Sequence, residues 1–402
     1  MPYDPAAIRT LVPLIATRTA QARLSKGKAI EDLRAFWSSE FDVAAWADRA
    51  LESVQHKSQK TAGVARFTSE TGKINRCELP GVEPERYALL SCDGSQIMPD
   101  RHASAIFAMI QSACVCITYG PENKADELIQ VQAVAGLRKR ATKLYSEDEL
   151  MDRGELIGLS AISTERDIQE IELLAENCER LHRAGMKVVA IADGSLMPFA
   201  LISERLPMST AKQIANRIAS ALDRMRLCNA VVAGYVDRPN SNTLVKALAL
   251  GIYGETQVGG ALDVVESLVD RQVVEGVLAP SQRTSCFDPG WNAAGIRYVA
   301  NAGHGLMACY ANMSRNPTRP YIARIEIPVW CAAELPNLHM ILQRQSMASI
   351  GDPYPFCLKA AHESAVITKE DQREIQQAIE RALLTLGIVP STSAKQSAKE
   401  LH

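Results

Sequence analysis

No stretch of the 402 residues approaches the roughly eighteen consecutive apolar positions that a membrane-spanning helix needs. The opening two dozen residues lack the basic start and unbroken apolar run of a secretory signal, so the expected location is the cytoplasm. Nowhere does the phosphate loop G-x-x-x-x-G-K-[ST] occur, which excludes a P-loop ATPase. Net charge is almost absent too: 44 Lys and Arg against 46 Asp and Glu leave a formal −2. With no global basic field, any contact with nucleic acid has to come from local patches. The ten cysteines contain no C-x-x-C pair. Most of them, including Cys92, Cys114, Cys116, Cys309, Cys331 and Cys357, lie in apolar stretches, so buried reduced thiols are expected rather than a zinc site.

What is present is an ordinary globular composition, 47% hydrophobic and 22% charged, with ample material for a core. The length suits two domains, or one large domain with an appendage. Asp4-Pro5 reads as an N-cap followed by proline in the first turn, opening a helix towards Leu24. A second helix is expected over about 29–57, and a small hairpin around Glu70-Thr71-Gly72-Lys73. From 87 onward strands alternate with helices. Strands are read at 87–93, 105–119, 187–193 and 229–236, with long helices at 163–184 and 209–227 and shorter ones near 241–250 and 262–277. A late strand pair, HGLMACYANM and YIARIEIPVW, precedes helices near 336–346, 355–364 and 369–387. Such alternation predicts an α/β fold, a mixed sheet flanked by helices. The run LRKRATK (137–143) is a candidate phosphate-binding patch or simply a solvated charged face. The polar tail STSAKQSAKELH is expected to be disordered.

Two segments pose the central question. YALLSCDGSQIMPD (87–100) and KVVAIADGSLMPFA (187–200) each carry Asp-Gly-Ser after a buried-looking apolar run. Taken singly, Asp-Gly is turn chemistry. Taken together, Asp93 and Asp193 read as two carboxylates delivered to the edge of one sheet. The helix between them, ISTERDIQEIELLAENCERL, offers Glu165, Asp167, Glu170 and Glu172, with Arg166 and Glu170 one turn apart on the same face. Two strand-end aspartates and a helical glutamate form an all-oxygen set of the kind that hard divalent cations prefer, and clustered carboxylates call for a neutralising cation.

Seven landmarks occur in order: CDGSQ (92–96), ERDIQE (165–170), ADGSLM (192–197), VVAGYVDRPNSNTLVKAL (231–248), DRQVVEGVLAPSQRTSCF (270–287), ARIEIPVW (323–330) and DPYPFCLKAAHESAVI (352–367). On these the sequence resembles the NurA nuclease family over about 85–390. The resemblance implies an RNase H-like fold at 85–390, preceded by an N-terminal helical region with a small hairpin (1–84) and followed by a tail (391–402). It implies a metal-dependent deoxyribonuclease with two Mn²⁺ or Mg²⁺ ions, acting as a 5′–3′ exonuclease and single-strand endonuclease on DNA ends. It also implies a homodimer working with a HerA-type hexameric ATPase, in DNA end resection or phage defence. Carried over by position, Asp93, Glu170, Asp193 and His362 are the metal ligands, with Glu172 the alternative on the helix, and Tyr354 completes the catalytic set. Arg238, Arg283 and Arg324 are expected to touch substrate. The sequence departs from the family where Ser-Lys commonly follows the glycine of the fourth landmark. Here Tyr235-Val236-Asp237-Arg238 stand instead, leaving Arg238 or Lys246 to supply the charge and Asp237 as an extra acid. Alone, His362 reads more readily as a packed histidine than as a ligand, and Arg324 with Glu326 as a salt-bridged pair on one strand face. A catalytically quiet RNase H-like adaptor docking on an ATPase ring is the rival reading; a phosphate-binding kinase or phosphatase is the third.

Overall fold

The strongest sequence signal, a six-residue run of Val, Ala and Ile ending on Asp193, forms strand β7 at the centre of a parallel arrangement. A computed structural model describes residues 4–38, 63–67, 77–120, 137–152, 155–156, 159–203, 206–253, 265–349, 351 and 353–389. The strands in chain order are β1 (Cys77–Glu78), β2 (Tyr87–Ile97), β3 (Ala108–Tyr119), β4 (Arg140–Tyr145), β5 (Met151–Asp152), β6 (Glu155–Leu156), β7 (Val188–Asp193), β8 (Val231–Asp237), β9 (Arg283–Thr284), β10 (Leu306–Asn312) and β11 (Ile322–Pro328). The chain divides into two units whose segments interleave in sequence. One comprises Met1–Pro80, Asp237–Asn292 and Met307–Ile325, the other Gly81–Val236, Ala293–Leu306 and Glu326–His402.

In the second unit the strand order is β8-β7-β2-β3-β4. β8, β7 and β2 run parallel, whereas β3 is antiparallel to β2 and β4 antiparallel to β3. The sheet is therefore mixed and, with helices on its faces, it is the α/β class that the alternation predicts. A parallel strand between parallel neighbours is covered on both faces, which is why β7 reads as unbroken apolar sequence and is buried from Val188 to Ala192. Two helices cover β2 and β3 from opposite faces. Gln96 reaches Ser163 Oγ at 3.0 Å on the helix Leu159–Arg183, while Ser91 Oγ donates to the carbonyl of Cys357, 2.6 Å away, on the helix Phe356–Ala365. Residues 91 and 96 differ in parity, and alternate positions of a strand face opposite sides. The helix Met208–Leu227 buries Ala211, Ile214, Ala215, Ile218, Leu222 and Met225 along one stripe, packed against the 159–183 helix. The run LRKRATK lies on and beside β4, at the end of the strand order. Only Ala141 of Arg140–Lys143 is buried, and exposed charge of this kind protects an edge strand from pairing with another chain.

The first unit holds the order β1-β9-β10-β11. Its core gathers Leu33, Trp37, Phe67, Leu244, Leu248, Val273, Phe287, Tyr310 and Ile322. The N-terminal sequence departs from the two-helix expectation: one helix runs from Pro5 to Trp37 straight through Gly27. Asp4 caps it as expected, its carboxylate accepting from the Ala6 amide at 2.9 Å. Glycine costs a helix only about 1 kcal/mol, and the far end is held by tertiary contacts. Arg34 donates to the carbonyls of Gln272 (2.7 Å) and Val273 (3.2 Å), and Lys26 to that of Ser267 (2.9 Å). The remainder of the expected 29–57 helix and the hairpin near residue 70 fall outside the described residues, as does the 391–402 tail. In the same unit Asp270 is fully buried, accepting from the Val245 amide (2.7 Å) and the Tyr310 hydroxyl (2.5 Å). It thereby caps the helix Thr243–Tyr253 from a distant part of the chain.

Among the described residues no helix is long and apolar enough to cross a membrane.

Candidate active site

β2 and β7 pair in parallel with Cys92 opposite Ala192, so the next residues along, Asp93 and Asp193, stand side by side on adjacent strands. In-register positions of neighbouring strands share a face. The two Asp-Gly-Ser segments nevertheless have different backbones. β2 does not stop at Asp93, as the sequence reading expects; it continues in pairing with β3 to Ile97, and Asp93, Gly94 and Ser95 are mid-strand residues. β7 does stop at Asp193. Gly194 takes a φ of +99°, a conformation L-residues rarely adopt, and its amide donates to the carbonyl of Tyr235 at 2.8 Å. The turn after it is pinned by Glu326, a fully buried carboxylate that accepts from Ser195 Oγ (2.7 Å) and from the Leu196 amide (3.1 Å).

Glu170 arrives from the 159–183 helix against β2 at Gly94. A Cβ on Gly94 would collide with the Glu170 carboxylate and with Arg166 Cγ, so the missing side chain at 94 is the space that Glu170 occupies. The carboxyl is only 5% exposed. Burial pushes its pKa well above the ordinary glutamate range; Arg166 opposes the rise, and the charges of Asp167, Asp93 and Asp193 add to it. Arg166 Nε lies 3.3 Å from Glu170 Oε1, and its Nη2 donates to Asp167 at 2.8 Å. Burial also raises the pKa of Asp167, against the lowering effect of Arg166. Glu172, the alternative helical acid, points elsewhere. Both its oxygens are taken by Arg217 at 2.8 Å, in a cavity of about 620 Å³ between the 159–183 and 208–227 helices and β4. Arg138, Lys143, Glu165 and Arg224 also line that cavity, and Asp93, Asp193 and His362 do not.

The helix Phe356–Ala365 and the loop before it bring the remaining two candidates. His362 Nδ1 is 2.6 Å from Asp93 Oδ2, with the imidazole 62% exposed. The Tyr354 hydroxyl donates to Asp193 Oδ2 at 2.6 Å, and its ring meets buried Tyr235 edge-on at 5.6 Å. Burial raises the Tyr354 phenol, and the neighbouring Asp193 raises it further, so the tyrosine remains a proton donor. Five of the expected site residues, Asp93, Glu170, Asp193, Tyr354 and His362, thus meet at one end of the parallel strands.

The three arginines belong to the other unit, where each has a partner of its own. Arg238, with φ +41°, lies over the Tyr321 ring at 5.2 Å. Arg283 is 3% exposed and ion-paired with Glu78, bracing β9 to β1. Arg324 is buried over the Trp291 ring at 5.4 Å. Lys246 is lowered by burial, and Asp237 is exposed at the end of β8.

Three carboxylates and one imidazole are the donor chemistry of a hard divalent cation. Among the described residues, no three acidic, histidine or cysteine side chains converge on one point as a formed cation site does. Instead each carboxylate is held by a protein group: Asp93 by His362 and the Gly94 amide, Asp193 by Tyr354, Glu170 by Arg166. The donor set fits such a cation, and taking one up exchanges those partners for it. Sequence reasoning missed the space left at Gly94 and the anchoring by Glu326. A glycine following an acid inside a strand of otherwise bulky residues was the available signal for the first.

The model of the NurA domain matches residues 88–367. A solved structure described as the crystal structure of NurA aligns at 11% identity over 83% of this chain and 94% of its own, with a TM-score of 0.40. An endonuclease V of Ciona intestinalis, bound to a 23mer DNA containing an inosine followed by a ribo-adenosine, aligns at 11% identity over 85% of this chain and 100% of its own, with a TM-score of 0.28. No curated protein matches. The family assignment rests on the domain model alone.

Proposed function

The chain belongs to the NurA family, and on that premise we propose that it is a divalent-metal-dependent deoxyribonuclease that hydrolyses phosphodiester bonds at DNA ends. The observation that carries this reading is the placing of Asp93 and Asp193 side by side on adjacent parallel strands near buried Glu170, whose pKa is raised by burial with the charges of Asp93 and Asp193 adding to it. A site of that kind is costly to a protein without a cation to take up the charge.

Asp93, Glu170, Asp193 and His362 are the residues that would hold Mn²⁺ or Mg²⁺, two ions per site. When bound, such ions supply an activated water and stabilise the leaving oxygen of an in-line displacement. Around them the chain's own groups have distinct tasks. Tyr354 orients Asp193 through its hydroxyl, and Arg166 steadies Glu170. His362, turned by its Nδ1 contact with Asp93, would either hold a cation or, in its place, take the proton of the attacking water on its exposed ring. Recognition of the strand is through phosphates, without base readout. The finer reading is a 5′–3′ exonuclease and single-strand endonuclease, acting as a homodimer beside a HerA-type hexameric translocase in end resection or phage defence. Because the sequence holds no P-loop, strand translocation falls to that partner.

Incubation of the purified chain with linear duplex and with single-stranded circles, in Mn²⁺, Mg²⁺ or EDTA, tests the proposal. Degradation with either cation that stops in EDTA is expected. No cleavage under any condition, with or without the cognate ATPase, would identify a quiet adaptor instead.

A further inference from the structure

Nine described cysteines are free thiols, and two pairs of them face one another across antiparallel strands. Cys92 stands opposite Cys114 between β2 and β3. Cys286 and Cys309, in the other unit, are set by a neighbouring bridge: Phe287 and Ala308 exchange both backbone hydrogen bonds, at 2.9 and 2.8 Å. Cys286 and Cys309 are the residues next to that bridge on the two chain segments, and a disulfide closes where Cα atoms lie about 4.4–6.8 Å apart. Farther along, Arg283 pairs with Ala311, one residue out of step with the Phe287 bridge. One extra residue is therefore accommodated on the 283–287 side, the mark of a β-bulge. The two thiols are hydrogen-bonding neighbours.

The two pairs differ in access. Cys92 is fully buried and Cys114 9% exposed, whereas Cys286 is only half-buried beside the buried Cys309. Their chemistry differs in the same sense. The Cys309 thiol, followed by the charge of Arg283, lowers the Cys286 pKa against burial, while burial pushes Cys92 far up. A thiolate is the reactive form of cysteine, and a nucleophilic thiol with a second thiol at hand is the arrangement that forms reversible disulfides.

We propose that Cys286 and Cys309 form a reversible oxidative modification site, closing an intramolecular disulfide when the protein meets a hydroperoxide. The Cys286 thiolate attacks the peroxide oxygen, breaking the O–O bond and leaving Cys286 as a sulfenic acid while hydroxide departs. The Cys309 sulfur then attacks the Cys286 sulfur, the S–O bond breaks, and the oxygen leaves as water with the proton that Cys309 gives up. Two thiols are oxidised and one hydrogen peroxide is reduced to two waters. A dithiol reverses the reaction.

The test uses the full chain, reduced, desalted, exposed to hydrogen peroxide and then alkylated with N-ethylmaleimide before peptide mapping. Loss of both thiols into a Cys286–Cys309 linked peptide, restored by dithiothreitol, is expected, with Cys92 and Cys114 remaining thiols. In Cys309→Ala, Cys286 should stop at a sulfenic acid that dimedone captures. The wild-type map stands even if that variant fails to fold. Recovery of Cys286 and Cys309 both alkylated after peroxide, or of Cys286 linked to any other cysteine, would overturn the proposal.

Discussion

The same three residues, Asp-Gly-Ser, serve two different backbones in this molecule. At 93–95 they continue a strand, and at 193–195 they break one. Gly194 is a glycine for its conformation: φ is +99°, and a Cβ there would meet nothing within 4 Å. Gly94 is a glycine for its neighbour, since its backbone is ordinary strand and the space beside it is filled by Glu170 and Arg166. A repeated motif therefore reports a repeated chemical need, a carboxylate beside backbone that can be approached, and not a repeated local structure.

The first way to break the comparison is to remove the feature the two segments share. Asp93→Asn and Asp193→Asn should each lower Mn²⁺-dependent cleavage by on the order of a thousandfold or more, since each takes a charge from the site that stabilises the leaving oxygen. Circular dichroism should find both folded. If either aspartate were turn chemistry alone, asparagine would substitute quietly and cleavage would persist near the wild-type rate.

Substituting the glycines separates them. Gly94→Ala should displace Glu170 and Arg166, which are flexible enough to move, so that cleavage falls at least about tenfold while the melting temperature changes little. Gly194→Ala should do the opposite in proportion, costing about 1 kcal/mol of stability in a strained φ and less activity. Equal effects on both measurements for both variants would remove the distinction.

The smallest expected effect concerns Glu170→Gln in metal-free protein. A carboxyl whose folded pKa is raised above its unfolded value favours the folded state when protonated, and that contribution is lost as pH climbs from the ordinary glutamate range towards the raised value. The variant should therefore melt a few degrees higher than wild type at neutral pH, and the gap should close at acid pH where both side chains are neutral. A gap that stays constant across pH would mean that Glu170 is not desolvated as described.

Much of this was legible in the sequence where local and tertiary demands agree. The parallel strand 188–193 reads directly as an apolar run because it is buried on both faces, and the long helices read from periodicity because each buries one stripe. Errors arose where a local rule met a stronger distant contact. Asp-Gly marked a strand end at 93, but eleven paired positions with β3 carry the strand on. The expected break between a helix towards Leu24 and a second from about 29 is absent, the single helix being held by contacts with 267–273. The ambiguity between Glu170 and Glu172 had no sequence answer, because both acids lie on one helix. Their fates differ through Arg217, on a different helix, which binds Glu172 and Glu165 but not Glu170. Glu326 was read as half of a strand-face pair with Arg324, and its bonds to Ser195 and Leu196, some 130 residues away, follow no spacing rule.

The missing side chain at Gly94 lets the 159–183 helix set Glu170 against the backbone of β2. A β-sheet ordinarily insulates the helices on its two sides, and any signal between them must travel around its rim. Here Glu170 of the 159–183 layer lies against Gly94, and the imidazole of the 356–365 layer lies on Asp93, its neighbour in sequence. Successive residues of one strand therefore bear contacts to both helical layers, so a shift of β2 at this point would be felt by both.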